Sequence, residues 1–413
     1  MEISKKTYEG KEQSETATGP LAGVRVTEFG SFIAAPLMAR TLADFGAEVI
    51  KVESPKGGDQ NRGWGGKESG TSYSWFVLAR NKKSVTCDLH HPKGQELARR
   101  LAAKSDIVVE NFRPGRITEW GLGYETLRAL NPRLVMVHIS GYGQTGPYRD
   151  RAGFGSIAEA VGGARFLVAE PGRAPVRFGF PLADSVAAFH GAFAAVTALR
   201  YAERTGQGQE IDVALTEAVL SMLDDTILEY SGTGEVRQPS GATSNRVVPS
   251  GTYACADNHL VQIGGNSDSV FRRLMAAIDR MDIANNPEFS TNDGRVAHLD
   301  EVDGAISAWT RQRTFTEVVS HLNAHGVPSG AIYNAADIVQ DPQFRAREAI
   351  TEVMIPEAGR ALAMQGVMPQ FSVTPGAIRW TGPALGAHNR EIYEGLLGLD
   401  ERETDALREE GVI

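Results

Sequence analysis

Apolar residues change their spacing along the chain, and the changes mark out elements. Val24–Phe29 (VRVTEF) and Glu48–Val52 (EVIKV) are short runs rich in β-branched and aromatic positions, as strands are. Between them, Pro36–Phe45 spaces its apolar residues as a helix does and stops at Gly46, a natural C-cap. Ser84–Leu89 reads as strand again, Pro92 opens a helix through Leu101, and Ile107–Val109 and Leu134–Ile139 are compact buried-strand runs. Strands alternating with helices imply right-handed crossovers and a parallel, doubly wound sheet, so the fold class is α/β and Rossmann-like.

Further on the pattern turns helical. Ser185–Arg200 and Ala214–Tyr230 carry helical spacing, and the glycines of Arg204–Val213 between them suit a tight helix-to-strand turn. Residues 231–250 are rich in Gly, Ser and Pro and read as a linker. A hairpin follows, with Thr252–Cys255 and His259–Ile263 flanking a turn at Asp257-Asn258. Helices over Ser269–Ile278 and Leu299–Leu322 complete a smaller α+β domain. The expected layout is a flexible tail at 1–19, a large domain at 20–230, the linker, the small domain at 251–330, and a C-terminal segment at 331–413 without a clear period.

Charge and composition narrow the function classes. The net charge of −9 argues against a nucleic-acid or anionic-membrane surface, while leaving room for a phosphate-bearing ligand at a local patch or a helix N-terminus. The two cysteines, Cys87 and Cys255, form no C-x-x-C pair, so no disulfide framework or zinc site is expected. The apolar stretch Val186–Leu199 is too short to span a bilayer and reads as a buried helix, and no targeting segment is evident. A cytoplasmic setting follows. The histidines show no metal-ligand spacing, and neither G-x-G-x-x-G nor G-x-S-x-G occurs.

Three constellations could carry chemistry. Asp184 stands just ahead of an apolar helix, where it suits an N-cap; the same position stabilises a carboxylate as the anion, the form a nucleophile needs. Gly264-Gly265-Asn266 follows the strand ending at Ile263, where glycines admit a ligand to the backbone and free N–H groups could hold an oxyanion. Lys51, Lys56, Lys82, Lys83, Arg113 and Arg116 fall at or near strand ends of the sheet, the edge where ligands of such folds sit.

Several segments, taken in order, resemble the class III coenzyme A transferases, a group that includes formyl-CoA transferase, carnitine-CoA transferase and the α-methylacyl-CoA racemases. They are PLAGVRVTEFG (20–30), ADFGAEVIKVESPKGGD (43–59), NKKSVTCDL (81–89), VVENFRPG (108–115), SGYGQTGPY (140–148), the stretch through Asp184, and RTGQGQEIDVALTEA (204–218). The resemblance implies a large Rossmann-like domain made from both chain ends, a smaller domain, and two identical subunits interlocked like links of a chain. It places Asp184 at the nucleophile position and Gly264, Gly265 and Asn266 in the glycine loop beside the intermediate. CoA contacts are implied at Ser31, Ile33, Ala34, Lys83, Asn111, Phe112, Arg113 and Tyr142. Coenzyme A and acyl-CoA are substrates, and no permanently bound cofactor is expected.

Departures from the family pattern bear on the substrate. Ser31 and Ile33 stand where formyl-CoA transferase has histidine and glutamine, which argues against formyl or oxalyl substrates. Ser54 and Glu119 replace two arginines. Gly153-Phe154-Gly155 replaces the Gly-His-Asp run of the racemases, removing one acid/base partner. A racemase, or a CoA-binding protein without catalysis, is the alternative to a transferase. Gly153–Gly163 and Asn266–Met275 look like the members that use succinyl-CoA and dicarboxylic acids. An acceptor of that kind calls for a cation on its distal carboxylate, with Arg62, Arg177 and Arg246 as candidates.

Overall fold

A computed structural model describes residues 19–413. The expected tail, but for Gly19, lies outside the described residues. Six parallel strands form the main sheet: β1 (Arg25–Glu28), β2 (Glu48–Glu53), β3 (Lys82–Thr86), β4 (Ile107–Glu110), β5 (Val135–Ser140) and β6 (Glu210–Ala214). Their order is β3-β2-β1-β4-β5-β6. β4 (IVVE) and the start of β5 (VMV) are apolar runs, buried because helices cover both faces. The chain leaves β1 toward β2 and β3 and then returns to β4 on the other side. The order therefore reverses between β1 and β4, which opens a crevice at the carboxyl ends of those two strands.

The crossovers include α1 (Ala34–Asp44), α2 (Pro92–Ala103), the short α3 (Gly155–Val161) and the long α4 (Leu182–Thr205). Pro92 opens α2, and the His91 ring accepts from Lys93 N–H. The 24-residue helix α4 is long and apolar enough to cross a membrane by length and composition, contrary to the expectation from sequence. Its buried side, however, is a stripe of small residues, Ala183, Ala187, Gly191, Ala195, Ala198 and Ala202, seated in this fold. A Cβ on Gly191 would stand 2.8 Å from Met38 Sδ, so glycine here leaves room for the Met38 side chain of α1. The helix begins at Leu182 with Pro181 as N-cap. Asp184 is thus inside the first turn and is not the capping residue expected.

The chain divides into two compact units. The first comprises the described residues up to Ala164, Phe178–Asp224 and Pro342–Ile413. Residues from 380 onward close the outer side of edge strand β3. Trp380 Nε1 donates to Lys82 O (2.9 Å), and Thr86 N–H donates to Asn389 Oδ1 (2.9 Å). Tyr393 Oη donates to Thr86 O (2.6 Å). Val412 and Ile413 are buried in one core with Leu97 and Leu101. Instead of one helix over Ala214–Tyr230, Ala214 ends β6 and helical turns cover Leu215–Leu220 and Thr226–Thr233, interrupted where Asp224 takes φ 49°.

The second unit comprises Arg165–Arg177 and Asp225–Asp341. Antiparallel strands β7 (Ser250–Ala254), β8 (Leu260–Gly264) and β9 (Ser329–Ala331) carry the expected hairpin plus one strand, in the order β9-β8-β7. Helices α5 (Asp268–Ala277), α6 (Leu299–Thr310) and α7 (Phe315–Ala324) share their core. The expected helix Leu299–Leu322 is two helices. Thr314 and Glu317 form a capping box that restarts the chain as α7. Back in the first unit, β10 (Ile350–Ile355) and β11 (Arg360–Gln365) form a hairpin that sequence periodicity had not shown.

Candidate active site

Asp184 lies in the first turn of α4, half-buried, with its carboxylate against the backbone of Gly155, the first residue of α3. A Cβ on Gly155 would stand 2.1 Å from Asp184 Oδ2. Any side chain at 155 would evict the carboxylate, so glycine there is a condition of the site. Burial pushes the Asp184 carboxyl up from 3.8 to about 6, and the nearby Glu159 carboxylate pushes in the same direction. The backbone N–H of the first turn opposes them and loses. The expectation that the helix terminus sets this carboxyl is therefore corrected: burial and Glu159 outweigh it.

The crevice at the strand reversal is built by two loops locked together. Ser31 N–H donates to Asn111 Oδ1 (2.8 Å), and Asn111 Nδ2 donates back to Ser31 O (2.8 Å). Next to Ser31, Phe32 takes the left-handed conformation (φ 67°), unusual for an aromatic residue. Asp59 holds it there by accepting from Phe32 N–H (3.2 Å), while Asn61 Nδ2 donates to Phe32 O (3.3 Å). The Phe32 ring meets Trp64 (centroids 5.0 Å apart) and Phe154 (6.1 Å), so an aromatic row leads from the crevice loop to the neighbour of Gly155. Ile33 is the N-cap of α1 and Ala34 its buried first residue. Below the loop, Ser31 and Phe112 join Phe29, Leu89, Cys87 and Trp120 in lining a cleft. Tyr142 sits in the loop after β5, packed edge-on to Tyr148.

Several expected cations have other work. Lys51 lies within β2, buried, and bonds Glu28 (2.8 Å), Asp59 (2.8 Å) and Gly30 O (2.8 Å). Lys82 shares Glu28 (2.6 Å) and bonds Pro36 O (2.7 Å). Burial alone would lower Lys51, yet Glu28 and Asp59 hold it above its ordinary value; burial lowers Lys82 to about 8. Lys83 points away from the crevice into ion pairs with Glu48 (2.7 Å) and Glu391, so it is unsuited to the CoA contact implied. Arg62 binds Glu53 through both Nε and Nη2 (2.8 Å each) and stacks on Trp75 with its guanidinium carbon 3.7 Å from the ring centroid. That double engagement removes it as an acceptor anchor. Arg113 is exposed at the end of the β4 loop.

The remaining candidates lie in the second unit. Arg246 pairs with Glu229 and with Asp225 (3.3 Å), alongside Arg237, and is therefore committed. Arg177 is exposed and free of side-chain partners among the described residues. Gly264 closes β8 and donates its N–H to Pro328 O (3.0 Å); Gly265 donates to Pro249 O (2.9 Å). Those two amides are spent within the fold, which corrects the view of them as free oxyanion donors. Only the Asn266 amide lacks an acceptor among the described residues. Buried Arg295 fixes this loop by donating to Asn266 O (2.9 Å), Val248 O (2.8 Å) and Asp268 (2.9 Å).

Sequence reasoning missed Gly155, Glu159 and the Asp59–Lys51 support of Phe32. Gly155 and Glu159 are four apart, hence on one face of α3, within a segment singled out only for its resemblance. What makes them part of the site is contact with a residue 25 or more positions later. Periodicity is blind to that.

A family model described as CoA-transferase family III matches residues 21–389. The chain belongs to this family and is a CoA-transferase. It is 47% identical over 401 residues to the succinyl-CoA–D-citramalate CoA-transferase of Chloroflexus aurantiacus, covering 97% of this chain and 100% of that one. It is 33% identical over 395 residues to the succinate–glutarate CoA-transferase of Agrobacterium fabrum, covering 93% and 98%. The crystal structure of a CAIB/BAIF family protein from Brucella suis matches with a TM-score of 0.80 at 32% identity, covering 92% of this chain and 100% of that one.

Proposed function

We propose that the protein moves CoA from succinyl-CoA to a second dicarboxylate, with Asp184 as the covalent nucleophile. The observation that carries this is the placement of the Asp184 carboxylate: pressed on Gly155, drawn toward no cation among the described residues, and pushed up to about 6. Such a carboxylate is more basic than an exposed one, yet about nine-tenths ionised at pH 7. The Asp184 oxygen attacks the thioester carbonyl and the CoA thiolate leaves, giving a mixed anhydride. The thiolate then attacks the Asp184 carbonyl of that anhydride, releasing succinate and leaving an aspartyl-CoA thioester. The acceptor carboxylate repeats both steps in reverse. Each step exchanges one carboxylate or thiolate for another, so no net proton moves and no general acid is needed. The relatives named for succinyl-CoA support the donor, and those named for citramalate and glutarate support a dicarboxylate acceptor. Arg62 and Arg246, engaged with carboxylates, are set aside as holders of the distal carboxylate. Phe154 in place of a histidine supports transfer over racemisation.

The family resemblance supports a homodimer, and so does the surface of the first unit. The outward side of α4 exposes Phe189 (53%), Phe193 (76%) and Val196 (41%), next to Ile157 and Val161 of α3. Soluble monomers rarely leave such a patch bare. The two cysteines are free and buried, which suits a reducing, cytoplasmic setting.

The test is turnover of succinyl-CoA with a panel of mono- and dicarboxylates, read by mass spectrometry. Hydroxylamine added after succinyl-CoA should mark Asp184 and no other residue. Labelling elsewhere, or equal turnover of monocarboxylates, would overturn the mechanism or the acceptor class respectively. Light scattering at low concentration should show a dimer that Phe193→Glu weakens.

A further inference from the structure

We infer that the C-terminal segment sets the crevice loop for CoA transfer, through a relay whose positioning residues are Arg62, Glu53 and Asp59; this rests on the transfer reading above. The loop needs outside support. Phe32 stands in the left-handed region (φ 67°), where a bulky side chain crowds its own backbone, and such a residue persists only if its surroundings over-determine it. Here they do. Each backbone polar group from Gly30 O to Phe32 O has a side-chain partner: Lys51 at Gly30 O, Asn111 at both groups of Ser31, Asp59 at the Phe32 N–H and Asn61 at Phe32 O. The Phe32 ring then meets Phe154, the neighbour of the glycine that seats Asp184.

Asp59 is itself held from behind. Its N–H donates to Glu53 Oε2 (3.0 Å), and its Oδ1 also accepts from Asn61 N–H (2.9 Å), which fixes the turn that carries both partners of Phe32. Glu53 accepts three further bonds, from Arg62 Nε and Nη2 (2.8 Å each) and from Ser84 Oγ (2.6 Å). The far ends of these donors belong to the C-terminal segment. Arg62 Nη1 donates to Pro383 O (3.1 Å), 321 positions away, and Trp75, on which Arg62 stacks, donates to the same carbonyl (3.1 Å). Gly386 N–H donates to Ser84 Oγ (3.1 Å). The junction has no slack: a Cβ on Gly58 would stand 2.7 Å from Glu53 Oε2 and 2.9 Å from both Arg62 Nε and Leu385 Cδ1. The bonds of Trp380, Asn389 and Tyr393 end on the β3 chain, whereas those of Pro383 and Gly386 end on side chains that lead to Phe32. The first group closes an edge; the second positions a loop.

Amide hydrogen exchange and a double-mutant cycle on the full-length protein test this together. Arg62→Lys keeps the charge but cannot hold Glu53 by two prongs and reach Pro383 as well. Ser84→Ala removes one hydroxyl from the relay and guards against a folding artefact. Both should speed exchange at the Ser31 and Phe32 amides about 10-fold and lower kcat with succinyl-CoA about 10-fold. Lys93→Ala, which frees the C-terminal segment at Glu410 and lies off the relay, should do neither. The cycle uses Phe32→Gly, because glycine takes the left-handed conformation without support. In that background Arg62→Lys should lower kcat far less than it does in the wild type. Unchanged exchange at Ser31 and Phe32, or equal kcat losses in the two backgrounds, overturns the relay alone. A wild type that moves no CoA overturns the transfer reading, whatever the exchange shows.

Discussion

Two groups of buried charge lie in the first unit, and they are built on opposite rules. Beneath the crevice loop, three cations (Lys51, Lys82, Arg62) meet three carboxylates (Glu28, Glu53, Asp59) at 2.6–2.8 Å. Burial alone would raise Glu53 and Asp59, but Arg62 and Lys51 outweigh it and hold both below the usual carboxylate range. At Asp184 burial wins, because the nearest charge that acts on it is another carboxylate. Compensated charge serves as scaffold: it fixes Phe32 and the loop. An uncompensated carboxylate keeps free energy in reserve, as the nucleophile proposed at Asp184 would need.

The largest effect is expected from deleting the carboxylate proposed as nucleophile. Asp184→Ala should cut turnover on the order of 10⁴-fold or more while CoA binding and melting temperature stay near wild type. Deleting the scaffold should do the reverse. Lys51→Met strands Asp59 and half of Glu28, and should cost ~3–5 kcal/mol in urea unfolding. Gly155→Ala tests the seat of the carboxylate. Its methyl group would take the space of Asp184 Oδ2, so kcat should fall about 100-fold with little change in stability. The smallest effect concerns pH. Acyl-enzyme formation should rise with pH through about 6 as Asp184 ionises. Glu159→Gln should shift that midpoint down by roughly half a unit or more. The raised carboxyl also means that the native state holds its proton more tightly than the unfolded chain. Its contribution to stability therefore falls as pH rises from 3.8 toward 6, and Asp184→Asn should remove that slope from pH-dependent melting.

Part of the sheet was legible because strands buried on both faces carry short apolar runs, as in Ile107–Val109 and Leu134–Val137. The β10–β11 hairpin was not legible, since most of its residues are half-exposed or exposed on both faces and no alternation survives. The break between α6 and α7 was written in Thr314-x-x-Glu317, a signal that a continuous apolar period masked. Asp184 was legible as a residue but not as an environment: Pro181 shifts the helix start by three positions, and its partners Gly155 and Glu159 come from another helix. Lys51, Lys82 and Lys83 show the same limit. A sequence displays charges, but the partners that neutralise them are set by which strands lie side by side.

The closure of β3 by residues from 380 onward has a consequence for how the chain is made. Thr86 and the Asn389 side chain that satisfies its amide are 303 positions apart. At ~5–20 residues per second of synthesis, the edge of β3 waits roughly 15–60 s for its cover. During that interval the outer edge of β3 lacks these partners, the kind of surface on which nascent chains pair with each other. Translation speed over the 303 positions between Thr86 and Asn389 therefore sets how long that edge stays open.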